Sequence, residues 1–514
     1  MLKRKSSGSS SRWTCLRVNV AAALAAVVSL SSWGLAPEAM ARSPLPGQLA
    51  TVGLSGGAVG VAVQGRVLAA IRSTPAGISI IDTASLQVRS TTPLPVVPSA
   101  VVLTSDGTRA YVLGDTSIFV IDTDTGALLK QASYDDVPGA TFTGVGPGMM
   151  SSLAISPDGR RLNVTINEDN ENAAEVWAID PDSLNVTRQA SMLRGFSEGV
   201  GVPRSRLVSF DKQTFAVALK TIFKCQESGP CAYNQLVAVE GAEAMKAALA
   251  LEPPNFYQKY VSSPAIARDP FDDTLLAASG AGLMRIDAAS RAVLGETRPL
   301  GQFAFSTLDV DPIARRAYAN IRRAYANSED GKQGTVVVDL LSNSVLGGFA
   351  RGSTAGRYTT AFFDSRGYFA SKDGVTVIEP ARMLGPVVEK VSLKLRAAGK
   401  GRVRVTATWP PAIGPDVSIY RAQIYSTERD KRQKTYTCTT RKLKCEFVMK
   451  RVAGSGDGLW SYYSSWVTAS SKDGVDGPST YADAPASPDD DESDGPWTYA
   501  VEWPWHSPCA WCKK

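Results

Sequence analysis

From Thr51 to Met383 the chain alternates short apolar runs with small polar turns. The stretch Ser99–Ala127, SAVVLTSDGTRAYVLGDTSIFVIDTDTGA, shows the pattern most plainly. Ala100–Thr104, Arg109–Leu113 and Ile118–Ile121 are β-rich runs, separated by Ser105-Asp106-Gly107, Asp115-Thr116 and Asp122–Gly126. Runs of this length bounded by Asp, Gly and Ser predict antiparallel strands joined by hairpins.

The pattern recurs. An apolar strand closing on an acid and a small turn appears as Ile78–Asp82, Ile118–Asp122, Val176–Asp180, Leu236–Glu240, Leu283–Asp287, Val336–Asp339 and Val375–Glu379. The closing acids are 40, 58, 60, 47, 52 and 40 residues apart. That is the period of a four-stranded propeller blade with insertions. A strand–turn–strand element precedes several of them, as at Leu153–Ile155 before Ser156-Pro157-Asp158-Gly159 and Phe362-Phe363 before Asp364–Gly367. Asp269-Pro270 and Asp311-Pro312 hold the same place in two more units. Seven such sheets, packed radially, bury faces that none buries alone. Gly241–Glu252 (GAEAMKAALALE) breaks the pattern and predicts a short helix between blades. Arg316–Asn320 and Arg323–Asn327 duplicate one another and predict a lengthened hairpin.

The units Thr104–Gly126 (TSDGTRAYVLGDTSIFVIDTDTG) and Ser156–Asp180 resemble the YVTN-type β-propeller repeat family, whose units run "spdGkrlYV…sVIDtatg". The resemblance implies a seven-bladed propeller over residues 42–385.

Around Leu384-Gly385-Pro386 the pattern changes. Residues 386–484 read as one β-sandwich with strands at Val391–Leu395, Val403–Trp409, Ser418–Tyr425, Thr435–Thr439, Cys445–Met449 and Ser464–Ala469. Trp409-Pro410-Pro411 and Tyr463-Ser-Ser-Trp-Val-Thr-Ala469, followed by Gly477-Pro478-Ser479, resemble a fibronectin type III domain. The resemblance implies an immunoglobulin-like fold with Trp409 on its second strand and Tyr463 as corner tyrosine. It also implies a pairing of Cys438 with Cys445. The fold class expected is therefore all-β: a seven-bladed β-propeller followed by an immunoglobulin-like (fibronectin type III) β-sandwich.

The ends of the chain differ from both domains. Lys3, Arg4, Lys5, Arg12 and Arg17 precede the apolar run Val18–Leu35 and the cleavage site Ala39-Met40-Ala41, so residues 1–41 read as a cleaved export signal. Cys15 lies before the apolar run, not after it, so it is not placed as a lipoprotein cysteine. Losing five cations and one acid lowers the formal charge from +6 to +2, which gives no electrostatic support for a nucleic-acid partner. No stretch after residue 41 is long and apolar enough to span a bilayer. Residues 485–514 form an acidic linker, Asp489–Asp494, and a tail rich in Trp and Cys. The linker lacks the ligand spacing of a calcium loop.

The remaining six cysteines fall in three close pairs, Cys225/Cys231, Cys438/Cys445 and Cys509/Cys512, as expected of local disulfides in an exported protein. His506 with Cys509 and Cys512 offers three zinc ligands where a closed site takes four. The tail pair therefore reads as a disulfide loop, with metal or redox use as alternatives. His506 is the only histidine, which excludes a Ser-His-Asp triad from the propeller. Carboxylates alone could act through Glu168-Asp169-Asn170-Glu171, and the bland reading of that run is a solvated loop. No catalytic residue, cofactor site or metal site is assigned. Residues 387–484 hold 17 Lys/Arg against 9 Asp/Glu. Arg429, Lys431, Arg432, Lys434, Arg441, Lys442 and Lys444 concentrate there as a candidate polymer-binding face, or as an edge guarded against aggregation. The function expected is a secreted or envelope-associated, non-enzymatic binding or scaffold protein. Its partner would be a protein or an envelope polymer. The alternative is a secreted propeller hydrolase or lactonase using carboxylates.

Overall fold

A computed structural model describes residues 47–114, 117–133, 149–167, 174–191, 200–201, 208–210, 214–222, 231–239, 245–250, 265–279, 282–290, 292–297, 304–322, 334–350, 359–428, 431–452, 462–485 and 497–499. The described chain is built of strands, and seven of its sheets form a β-propeller.

β1 (Gln48–Gly53) stands apart at first. Blade one is β2 (Gly60–Gln64), β3 (Val67–Ser73), β4 (Ala76–Asp82) and β5 (Val88–Pro93). Blade two is β6 (Pro98–Leu103), β7 (Arg109–Gly114), β8 (Ser117–Asp122) and β9 (Leu128–Ser133). Blade three is β10 (Met149–Ile155), β11 (Leu162–Asn167), β12 (Ala174–Ile179) and β13 (Val186–Ser191). In blade four the first strand is split into β14 (Val200–Gly201) and β15 (Val208–Ser209), followed by β16 (Thr214–Ile222), β17 (Cys231–Val239) and β18 (Met245–Ala250). Blade five is β19 (Ala265–Asp269), β20 (Thr274–Ser279), β21 (Gly282–Asp287) and β22 (Val293–Glu296). Blade six is β23 (Ala304–Asp311), β24 (Arg316–Arg322), β25 (Gly334–Asp339) and β26 (Ser344–Ala350). Blade seven is β27 (Thr360–Phe363), β28 (Arg366–Ser371) and β29 (Gly374–Ile378), and β1 completes it as the outer strand.

The first strands stand side by side round a ring: β2, β6, β10, β15, β19, β23 and β27, which returns to β2. Alternation along the second and third strands explains their unbroken apolar runs. Leu68 and Ala70 pack toward blade seven against Tyr368 and Val377, while Ala69 and Ile71 pack toward blade two against Ala110 and Val112. A strand buried on both faces shows no polar side, so it reads as a continuous hydrophobic run.

One expectation is corrected. Met245–Ala250, within the segment expected to be helical, is strand β18, paired with β17 from Gln235↔Ala250 to Val239↔Met245. Ala, Lys and Met rank among the better helix formers, but local propensity is a small term, and the blade's demand for a fourth strand overrides it. The first copy of the duplicated segment, Arg316–Asn320, lies on β24; the second lies outside the described residues.

The chain then builds two further sheets. β30 (Ser392–Ala397), β31 (Arg402–Thr408) and β34 (Lys444–Lys450) form one, in the order β34-β31-β30, with β37 (Trp497–Tyr499) beside β30. β32 (Val417–Glu428), β33 (Lys431–Thr440), β35 (Tyr462–Ser471) and β36 (Thr480–Pro485) form the other, in the order β33-β32-β35-β36. Leu393, Val405, Trp409, Ile424, Tyr463 and Val467 fill the single core between them, making a β-sandwich. The Tyr463 hydroxyl accepts a hydrogen bond from the Val452 N–H at 2.9 Å. A disulfide joins Cys438 on β33 to Cys445 on β34, tying the two sheets together at one edge.

Sandwich and propeller meet closely. Gly348 of β26 and Gly385 exchange backbone hydrogen bonds of 2.9 and 2.6 Å. Val387 packs into the core shared by blades five and six. A Cβ on Gly477 would lie 1.8 Å from the Pro386 carbonyl oxygen, so only glycine permits this approach.

Closure at β1 has a measurable consequence. Val52 is buried with Ala370, Val375 and Val377, whereas Leu49 on the same strand is 46% exposed. Val52→Ala should cost about 1–3 kcal/mol in denaturant unfolding and Leu49→Ala less than about 0.5 kcal/mol. Equal effects at the two positions would contradict the closure.

Candidate functional site

The recurring acids come first, because carboxylates are the chemistry the propeller repeats. Asp122 accepts hydrogen bonds from the Asp124 N–H (3.1 Å), the Thr125 N–H (2.7 Å) and the Thr125 hydroxyl (2.7 Å). Asp180 does the same with Asp182 and Ser183, and Asp339 with Leu341 and Ser342. Asp287 takes the Ser290 N–H and hydroxyl, both at 2.6 Å. Asp82 takes the N–H groups of Ala84 and Ser85 and also binds the guanidinium groups of Arg66 and Arg89. Each carboxylate thus closes the turn between the third and fourth strands of its blade. In the turns of Asp82, Asp122, Asp180 and Asp339 the chain reverses through a left-handed residue: Leu86, Gly126, Leu184 and Asn343. These hydrogen bonds favour the ionised form. The Ser85, Thr125 and Ser183 N–H groups hold Asp82, Asp122 and Asp180 below the ordinary carboxylate range. The Ser290 hydroxyl does so for Asp287. For Asp339 burial acts in the opposite sense, and the hydrogen bonds from Ser342 outweigh it.

Arginines at these turns tie blade to blade. Arg109 of blade two reaches Asp182 of blade three at 2.6 Å, and Arg161 reaches the Phe210 carbonyl of blade four at 2.7 Å. Arg366 of blade seven reaches the Thr83 carbonyl of blade one at 2.9 Å. The aspartates of the Asp-Pro turns are buried anchors. Asp311 accepts from Ile313 and Ala314 in its own turn and from Asp364 and Ser365 in blade seven.

Between blades five and six the same knot carries exposed apolar side chains. The Arg285 guanidinium pairs with Asp272 and donates to the Leu340 carbonyl. Arg315 lies 3.6 Å from Asp269, and its guanidinium carbon stands 3.4 Å from the Phe271 ring centroid. On these interlocked turns Phe271, Ile313 and Leu341 are 71%, 60% and 72% exposed. Phe271 and Ile313 each stand two residues after a buried turn aspartate. That spacing is the signal in the sequence that would have found them.

The sandwich carries the charge. Of the basic residues singled out in the sequence, Arg429 lies outside the described residues, and Lys431 and Arg432 lie on β33. Lys434 stands 5.2 Å from the Tyr436 ring centroid, and Arg441 and Lys442 are exposed in the β33–β34 turn. Lys444 is exposed on β34, facing outward from the other sheet. There it joins cations that the sequence reading did not group. Lys394 and Arg396 on β30, Arg402 and Arg404 on β31, and Lys450 on β34 all face outward. The signal was alternation: Lys-Leu-Arg at 394–396 and Arg-Val-Arg at 402–404 put every cation on one side. Glu446 is the acid of this face, 3.4 Å from Arg404.

Glu168, Asp169 and Glu171, His506, Cys225, Cys509 and Cys512 lie outside the described residues, and Cys231 opens β17. Among the described residues no group of three or more His, Cys, Asp or Glu side chains is gathered to hold a metal ion. No helix among them is long and apolar enough to cross a membrane.

No protein-family model matches the chain. No curated protein matches it. Among solved structures it is similar to the hydrazine synthase of Kuenenia stuttgartiensis, with 16% identity and a TM-score of 0.38. The match covers 57% of this chain and 83% of that one.

The turn carboxylates give stability a definite pH dependence. Their folded pKa values lie below those of the unfolded chain, near 3.9, so their contribution is complete above about pH 4 and is lost as pH falls through the folded values. Unfolding free energy measured against pH should drop on acidification below about pH 4, and Asp122→Asn should flatten part of that drop. An unchanged acid limb in Asp122→Asn would contradict the role of the turn.

Proposed function

We propose that the chain is an exported, non-enzymatic binding protein of the cell envelope or exterior, with the propeller as a fixed frame that presents contact surfaces. The observation that carries this reading is that Phe271, Ile313 and Leu341 all stand exposed on turns of blades five and six that Arg285 and Arg315 tie together. Several large apolar side chains exposed on neighbouring turns of a rigid frame suit a protein-contact site. The export signal in residues 1–41 supplies the compartment, and the paired Cys438 and Cys445 agree with an oxidising one. In this reading the propeller is of the YVTN type, because the strand-closing Asp and the Ser or Thr three residues later are the pair that the repeat preserves.

The sandwich is read as a fibronectin type III module. Its strand orders, β34-β31-β30 and β33-β32-β35-β36, and the Tyr463 hydroxyl bond to the Val452 N–H support that assignment. The backbone bonds between Gly348 and Gly385, with Pro478 close against Gly334 and Gly348, make the module an arm held on blade six rather than a bead on a string.

Sedimentation of residues 42–514 with envelope fractions of the source cell tests the reading. The protein should pellet with the envelope, and Phe271→Ser with Ile313→Ser and Leu341→Ser should reduce the bound fraction severalfold while leaving the melting temperature unchanged. Retention that ignores the triple change, or no retention, would contradict it.

A further inference from the structure

The outward face of the β34-β31-β30 sheet sets like charges against each other. Arg396 on β30 lies directly opposite Arg404 on β31, and Arg402 on β31 lies directly opposite Lys450 on β34. Like charges directly opposite destabilise a sheet. Here two neighbouring rungs do so, and Lys400 is exposed in the turn between β30 and β31 beside them. Glu446 answers one of these charges, through Arg404, and also accepts from the Thr406 hydroxyl at 3.2 Å. A chain that aligns cations in this way gains stability when an anion bridges them. The arrangement is therefore what a bound polyanion needs and what an unliganded sheet disfavours.

The other outward positions say which polyanion. They are Ser392, Thr406, Thr408 and Val448. None of these described positions is aromatic, so they offer no platform on which bases of a single-stranded nucleic acid could stack. Val448 alone is apolar, too little to seat in a bilayer interface. Hydroxyls interleaved with guanidinium groups suit a chain that carries both hydroxyls and carboxylates. Rungs on one face repeat about every 7 Å along a strand, and strands lie about 5 Å apart, so the cations form an extended track rather than a point site.

We propose that this sheet face binds a linear anionic polysaccharide, with Arg402, Arg404 and Lys450 holding successive carboxylates and Arg396 flanking them. The proposal deepens the reading of the chain as an exported binder, yet it is tested on purified protein without reference to where the chain resides.

The test uses residues 42–514 and polygalacturonate as the probe, by calorimetry at low and high salt. Neutral dextran, oligothymidylate and phosphatidylglycerol vesicles are the comparison arms. Polygalacturonate should bind at low salt and weaken as salt rises, and dextran should not bind. Arg402→Glu with Lys450→Glu should weaken binding about tenfold or more. Arg160→Glu with Lys372→Glu, an equal change in net charge on the propeller surface, should leave it within about twofold. Arg402→Thr should also weaken binding while holding or raising the melting temperature, because it relieves the opposition to Lys450; a purely structural arginine would lower it. Absence of polygalacturonate binding, equal loss in the propeller control, or equal or tighter binding of the oligonucleotide or the vesicles would overturn the proposal. So would binding seen only after Asp489, Asp490 and Asp491 are changed to Asn, which would assign the face to the chain's own acidic segment.

Discussion

Seven sheets can bury both of their faces only if the ring they form has no open side, and here closure falls on the hydrogen bonds between β1 and β29. The N-terminal strand of the described chain supplies the outer strand of the last blade, with Thr51 opposite Thr376 and Val52 opposite Val375. Local sequence cannot hold such a contact, since more than three hundred residues separate its partners. Everything else in the propeller follows from it. Once the ring is closed, second and third strands are buried on both sides, so their polar groups must be satisfied inside the fold: within strands by one another, as Asn320 is by Thr307, Asp309, Thr335 and Thr360, and at strand ends by the turns themselves.

That requirement explains why the propeller's most regular acids are structural. A carboxylate at the end of a third strand meets two backbone N–H groups and a hydroxyl within three residues, and the interaction repeats from Asp82 to Asp339. On the proposed reading the recognition surfaces are the apolar turns of blades five and six and the cationic sheet of the sandwich, set in fixed relation through Gly348, Gly385 and Gly477.

The sequence made the third strands legible because each couples an apolar run to an acid with Ser or Thr nearby, a short-range signal. The strands of the sandwich were legible by alternation, and two were not. β36 (Thr480–Pro485) contains Asp483 and a proline and shows no clear apolar alternation, and β37 follows the acidic linker. β18 was misread because Ala-rich segments carry helix preference, and only the neighbouring strand β17 decides otherwise. The cationic face was half legible. Proximity in sequence marks the cations of 429–444, whereas pairing across strands brings together residues as far apart as Arg402 and Lys450. Register between strands, which sets that face, is a long-range property that no local pattern states.

Native-state hydrogen exchange on the full mature chain tests the closed ring most directly. The account predicts that amides of Gln48–Gly53 paired to β29 exchange as slowly as those of β3 and β7 in the ring, and are released with them in one cooperative opening. Fast exchange of β1 while β3 and β7 stay protected would show that the ring is not held shut by its first strand, and would contradict the account.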